Sequence, residues 1–366
     1  MIFYDFEVFK EDWLAVFIDV TKKKEYVIIN NPDELKALYE ANSKDIWAGY
    51  NNRHYDQYIM KGILLGMNPK RINDWIIVEK KEGWQFSSAF NKVPMINYDV
   101  MPNPPVGLKT LEGFLGSNIK ETDVDFRINR KLTKEEIEMT VFYCRHDVEE
   151  TIKVFLEKID EFNAMHGIIQ AFPDIVNLSD IGDSEARITA KVLGCSRRSF
   201  EDEFDFYFLP CLQLKKYKYV QDWFEQKRQE ALSMDLAHMD KYSKRTWYKE
   251  QGLETVVAGI PHSFGFGGVH GATATPIHKT GQLLHVDVNN YYPSMLIAWG
   301  LVTRAATNDN YPLVYNTRKA MKEKQIAAKN AGNKKEVKRW KKAQLPYKKM
   351  LNALSGAMKD ETNAAY

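Results

Sequence analysis

Cysteine is scarce in this 366-residue chain, and the three present, Cys144, Cys195 and Cys211, show no Cys-x-x-Cys spacing. That argues against a disulfide framework and reads as reduced thiols in a cytoplasmic protein. Long apolar runs are missing too. None approaches the roughly twenty residues that span a bilayer, so no membrane partner is expected. The chain opens directly on an acid-bearing strand, and a signal peptide is not expected either. Internal repeats and Ser/Pro-rich linkers are absent, and net charge is small, +2. What remains is an ordinary soluble composition, rather rich in aromatics. The length suits two or more domains with an ample core.

The small net charge hides an asymmetry. From Thr317 to Lys349 there are thirteen Lys and Arg against two Glu, a local +11, so the rest of the chain carries −9. A basic arm on an otherwise acidic chain points to a polyanion partner, with a solvated helix face as the plainer alternative.

The opening stretch carries the first chemical signal. Ile2-Phe3-Tyr4-Asp5-Phe6-Glu7-Val8-Phe9 has the aromatic and apolar content of a strand. Residues two apart on a strand share a face, so Asp5 and Glu7 point the same way. Adjacent carboxylates repel unless a cation sits between them, which suits a divalent metal with oxygen ligands. Alone, such a pair is more often a solvated strand edge. Its weight comes from the acids downstream.

Trp13 to Val20 and Tyr26 to Asn30 read as further strands of an antiparallel meander. Asn31-Pro32-Asp33-Glu34 predicts a helix to about Asn42, with Asn31 as cap. Ile46 to Tyr50 is a short strand, followed by a helical stretch to Gly66. Val93 to Met101 is a strand candidate and Leu108 to Leu115 has helical spacing. Thr133 caps a long amphipathic helix running through Asp147 towards Phe162. Strands followed by helices indicate an α/β layer architecture. Further on, helices are expected at Ser184 to Leu193 and Tyr219 to Met239, and a loop or hairpin at Phe264 to Ala272. A strand at Leu283 to Val288, a helix from about Met295, and two basic helices separated near Asn330 to Asn333 complete the reading.

Three acidic signatures stand in series: Asp5-x-Glu7 on a strand, Asn52-x-x-x-Asp56 at a strand-to-helix junction, and Tyr143-x-x-x-Asp147 on a helix. Their order and contexts resemble the three motifs of the proofreading 3′→5′ exonucleases, which have an RNase H-like fold. Phosphodiester hydrolysis needs an attacking hydroxide and a stabilised leaving oxygen, and two Mg²⁺ or Mn²⁺ ions about 4 Å apart supply both. The resemblance implies that Asp5 bridges the metals, that Glu7 and Asp147 complete the first, and that Asp56 helps hold the second. Tyr143 would orient the attacking water. Related nucleases place a His one position earlier; here Phe142 stands there, which indicates the tyrosine subclass and leaves His146 a bystander.

A second resemblance lies near the C-terminus. Asp287-Val-Asn-Asn-Tyr-Tyr292-Pro293-Ser294 looks like motif A of the family B DNA polymerases, and Lys348-x-x-x-Asn352-Ala-Leu-Ser355-Gly356 looks like motif B. By that likeness Asp287 is a metal ligand, Tyr292 a barrier to a 2′-hydroxyl, and Arg318, Lys322, Lys348 and Asn352 contacts of the incoming nucleotide. Asn290-Tyr291 replaces the usual Ser-Leu, and Ser355 the usual Tyr. Phe264 to Gly268 loosely resembles the loop that links the family's two domains. No Asp-Thr-Asp segment, the family's third motif, occurs in the chain.

The expectation is therefore the N-terminal part of a phage-like family B DNA polymerase. An RNase H-like exonuclease domain covers 1–165, a connecting region 166–280, a partial palm 281–316 and basic fingers helices 317–366. Implied partners are single-stranded and primer-template DNA, dNTPs and a C-terminal polymerase chain. The rivals are a free-standing exonuclease with a basic arm and a non-enzymatic primer-template-binding subunit.

Overall fold

The computed structural model describes every residue except 118, 121–123, 197–203, 205, 279, 283, 285, 287, 289, 360 and 361. The chain divides into two compact units, one formed by Met1–Arg197 with Asn290–Tyr366, the other by Arg198–Asn289. The linear segments expected from the motifs run across this division, since 166–197 packs with the first unit.

The first unit is built on a five-stranded mixed sheet, and the α/β class expected from the sequence is what forms. Strands β1 (Ile2–Val8), β2 (Trp13–Asp19) and β3 (Lys24–Ile29) make the antiparallel meander. β4 (Ile46–Gly49) and β5 (Ile96–Asp99) add in parallel, giving the order β3-β2-β1-β4-β5. Helix α1 (Pro32–Ala41) starts as expected, with Asn31 Oδ1 accepting the Glu34 amide at 3.2 Å. Helix α2 (Asp56–Leu64) is followed by α3 (Pro69–Asn73), a π-helical turn at Asp74–Val78, and, after β5, α4 (Leu108–Leu115). The long helix α5 (Lys134–Glu157) opens with a full capping box: Thr133 Oγ1 accepts from the Glu136 amide and Glu136 accepts from the Thr133 amide. It ends at Lys158, where α6 (Ile159–Ala171) begins, and α7 (Glu185–Val192) follows, capped by Ser184.

Because β1 is central, both its faces are covered, and the two faces differ in chemistry. Ile2, Tyr4, Phe6 and Val8 join an aromatic core with Trp13, Phe17, Trp47 and the α2 residues Ile59, Met60 and Ile63. Phe3 lies on the other face against Cys144, Val148 and Phe155 of α5. Asp5 and Glu7 share the face of Phe3 by strand periodicity, so they are turned towards α5.

The second unit contains α8 (Lys218–Ser233), α9 (Lys241–Glu250) and an antiparallel sheet of β6 (Leu253–Val257), β7 (Ile260–Gly265) and β8 (Gly268–Gly271). The helix expected to reach Met239 stops at Ser233, and Asp235 adopts a left-handed φ of 52°. The glycine-rich run makes the β7–β8 hairpin. Phe204, Ala231, Leu236 and Trp247 form this unit's core, with the Phe266 ring 5.2 Å from that of Trp247.

The chain then returns to the first unit as α10 (Tyr291–Ala298), α11 (Asn310–Asn330), α12 (Lys334–Ala343) and α13 (Leu345–Ala357). α10 begins earlier than the expected Met295, because Tyr291 and Tyr292 fit a first turn with Pro293. The expected strand from Leu283 to Val288 lies partly outside the described residues, and Asp287 lies wholly outside them. Tyr311, Val314, Met350, Leu351 and Leu354 bury α11 and α13 against Ile168 and Ile188 of α6 and α7. Among the described residues, no helix is long and apolar enough to cross a membrane.

Candidate metal centre

The first acids are delivered by β1 and the next by the chain leaving β4. β1 and β4 pair only at Ile2–Trp47 and Phe3–Ala48, so further along β1 the edge has no strand beside it. Asp56, the first residue of α2, takes that place: its Oδ1 accepts the Phe6 amide at 3.1 Å, between Asp5 and Glu7. The turn that brings it there is tight. A Cβ on Gly49 would come within 2.9 Å of both Tyr4 O and Asn52 Cβ, so only glycine fits. Asp99, at the end of β5, then fastens the turn by accepting the amides of Asn51 (2.9 Å), Arg53 (3.2 Å) and Met101 (2.9 Å).

Helix α5 supplies the remaining groups. Tyr143 and Asp147 lie one turn apart, and Cys144 Sγ sits 3.5 Å from the Asp5 carboxylate. One ligand atom from each of Asp5, Glu7 and Cys144 lies within 4.8 Å of the others, and so does one from each of Glu112, His146 and Asp147. Asp56 is thus tied to β1 beside Asp5 and Glu7, while Asp147 groups with Glu112 and His146 and acts on Asp5 and Glu7 through its charge.

The electrostatics agree with the geometry. Burial pushes the Asp5 carboxyl up to about 7, with Asp147 adding to the effect. Glu7, only 8% exposed, is raised by burial and then by Asp5, Asp147 and Asp56 in turn. Asp56 is raised by burial and Asp5, opposed by the Phe6 amide. Asp147 is raised by burial in spite of the Lys109 ammonium 2.5 Å away. Tyr143 is raised by burial and by Asp147, so its hydroxyl stays protonated.

Such a set fits a hard divalent cation. Its donors are carboxylate oxygens, and a cation among them lowers the cost of ionising all of them at once. The one thiol nearby is pushed up by burial and by Asp5 and Glu7, which keeps it neutral and argues against a soft-metal site.

No family model and no curated protein sequence matches this chain.

Sequence reasoning missed two members of the cluster. Lys109 and Glu112 stand on α4, where the sequence offered only helical spacing; their separation by three residues is the signal that pairs them on one face. Glu112 is fully buried, and His146 Nε2 lies 3.5 Å from its carboxylate.

The C-terminal candidates are distributed over three helices. Tyr292 is exposed on α10. Arg318 and Lys322 lie one turn apart on α11, and the exposed Lys348 and Asn352 one turn apart on α13. Tyr311 Oη donates to the Leu351 carbonyl at 3.1 Å, joining α11 to α13. The Arg318 guanidinium contacts Asn290 Oδ1, at the head of α10. Burial pushes Arg318 below the usual guanidinium range. On α12, Trp340 is approached by Lys324 at 4.7 Å and Arg339 at 5.1 Å from its ring centre, which ties the basic helices together.

Proposed function

We propose that this chain is a divalent-metal-dependent 3′→5′ exonuclease on single-stranded DNA ends, in an RNase H-like domain of the family B polymerase type. The carrying observation is that Asp5, Asp147 and Asp56, from β1, α5 and α2, all act on the buried Glu7 carboxyl, with Asp56 held on the Phe6 amide. Support for the RNase H-like reading comes from a mixed sheet in which β2 alone runs against the other four strands, with the acids on central β1.

Asp5, Glu7 and Asp147 would hold one Mg²⁺ or Mn²⁺ and Asp5 with Asp56 the second. Bound there, the pair supplies a nucleophilic water and charge neutralisation at the leaving oxygen. The chain's own groups do the rest. Asp56 is fixed by the Phe6 amide and Asp147 by Lys109, so the ligands are preorganised. Tyr143 keeps its proton, so it serves as a hydrogen-bond donor that orients water and not as a base.

The proposal extends to the C-terminal helices as part of a polymerase, with primer-template DNA, dNTPs and a C-terminal polymerase chain as partners. Arg318, Lys322, Lys348 and Asn352 would face a triphosphate, Tyr292 the sugar, and Asp287 a metal. The favouring observation is the Arg318–Asn290 contact, which fastens α11 to the turn three residues after Asp287.

The test is release of mononucleotides from single-stranded DNA in Mg²⁺ or Mn²⁺ by the protein and by an Asp5→Ala/Glu7→Ala variant. The variant should be inactive yet retain its circular dichroism spectrum. Full activity in the folded variant, or in excess EDTA, contradicts the proposal.

A further inference from the structure

We infer that the pocket between α2 and segment 83–91 holds a nucleotide of the single strand upstream of the cleaved end, its base on Trp84 and its phosphate on Lys61. This rests on the nucleic-acid reading above and adds a substrate contact outside the carboxylate cluster.

The pocket follows from the two sides of α2. Ile59, Met60 and Ile63 enter the aromatic core of the sheet, which leaves Gln57 and Lys61 on the outer side of the helix. Segment 83–91 lies against that helix. The Gly83 backbone rests so closely on the Tyr58 ring that a Cβ would come within 2.2 Å of it, and Phe90 packs on the same ring with centres 5.4 Å apart. The next residue, Trp84, is thereby held at the pocket rim in the short helical turn Gly83–Gln85, with 62% of its surface exposed. The pocket measures about 490 Å³ and is lined by Tyr58, Lys61, Trp84, Ser87 and Asn91 among others.

Its chemistry is that of a nucleotide. Lys61 is half-buried, and among the described residues no carboxylate pairs with it. Its ammonium donates to Gln57 Oε1 at 3.3 Å, and burial alone pushes it below its usual range. A partly desolvated cation without a counter-ion is satisfied by an anion such as phosphate. The exposed indole beside it offers a stacking face for any base. Glu82, the acid just before the turn, lies 4.0 Å from His54. The pocket is also continuous with the ion site. Gln57, which holds Lys61, donates through Nε2 to the Arg53 carbonyl at 2.5 Å, in the turn that carries Asp56. Asp56 opens the same helix five residues before Lys61, a rise of about 7.5 Å. That continuity favours a unit of the strand over a free nucleotide.

The experiment is fluorescence anisotropy of labelled oligothymidylate with the full chain in EDTA, so that cleavage does not intrude, as salt is varied. Trp84→Ala should weaken binding by about 5- to 150-fold, the loss of one stacked base, and Trp84→Phe should recover most of it. Lys61→Met should weaken binding and make the slope of log affinity against log salt shallower by about 0.7, one phosphate contact, and Lys61→Arg should restore the slope. Folded Trp84→Ala and Lys61→Met variants that titrate like the unsubstituted chain overturn the inference. Where Trp84→Ala does not fold, Lys61→Met decides alone. Free dTMP is the second probe: losses confined to dTMP, with the oligonucleotide unaffected, overturn the assignment to the strand. If the unsubstituted chain binds the strand and the variants match it, only the pocket falls. If it binds no single strand, the nuclease reading falls with it. A chain that shows both effects yet digests nothing in Mn²⁺ keeps the pocket and loses the nuclease reading.

Discussion

Asp5→Asn should stabilise the protein in EDTA near neutral pH while abolishing its stabilisation by Mg²⁺. Burial, with Asp147 beside it, moves the Asp5 carboxyl from 3.8 to about 7. A group that holds its proton more tightly in the folded chain than in the unfolded one makes stability fall as pH rises between those values. Below about pH 4 both states are protonated and the contribution is fully present; above about pH 7 it is gone. At about 1.4 kcal/mol per pH unit, ionising Asp5 in the folded protein costs about 4 kcal/mol. Glu7 and Asp56 are raised as well and steepen the same slope. Asparagine has the same shape and no charge, so it should recover about 2–4 kcal/mol at pH 8 and flatten the profile. A divalent ion acts in the opposite sense, because it binds only ionised carboxylates, so its stabilisation grows with pH. The assay is urea unfolding followed by circular dichroism across this pH range, with EDTA or with Mg²⁺, for both proteins. A flat profile in EDTA, or Mg²⁺ stabilisation that survives in Asp5→Asn, refutes the reasoning.

Two further outcomes are expected. Asp99→Ala removes an acceptor shared by three backbone amides, so urea unfolding should show a loss of about 2–3 kcal/mol. Its Mg²⁺ stabilisation should shrink too, because the turn that carries Asp56 is released. Neutralising Lys334, Lys335, Lys338 and Arg339, all exposed on α12, should make the salt dependence of DNA binding shallower in fluorescence anisotropy, since fewer counterions are released. An unchanged slope returns the run to a solvated helix face.

Much of the first unit was legible because its signals are local. Asn31 and Thr133 cap helices through their own side chains, and Asp5-x-Glu7 needs only strand periodicity to put both acids on one face. Asp56 and Asp147 could be named from spacing, yet their approach to the acids of β1 depends on β4 ending early beside β1 and on α5 crossing the Phe3 face. Those are tertiary facts. Lys109 and Asp99 were not legible for the same reason: their partners lie 38 residues away at Asp147 or 46 and 48 residues away at Arg53 and Asn51. The helix expected to reach Met239 looked continuous because apolar spacing persists, but the left-handed Asp235 interrupts it. The packing of α11 and α13 against α6 and α7 joins segments far apart in the chain, which periodicity cannot reveal.

The central claim is tested most directly by the polarity of digestion. Single-stranded DNA labelled at its 5′ end is incubated with the protein and Mn²⁺, and products are resolved with time. The account predicts a ladder that shortens one nucleotide at a time from the 3′ end, while a 3′-labelled strand yields labelled mononucleotide as its first product. Internal cleavage, release of mononucleotide from the 5′ end, or a strand left intact by the folded, Mn²⁺-loaded protein contradicts it.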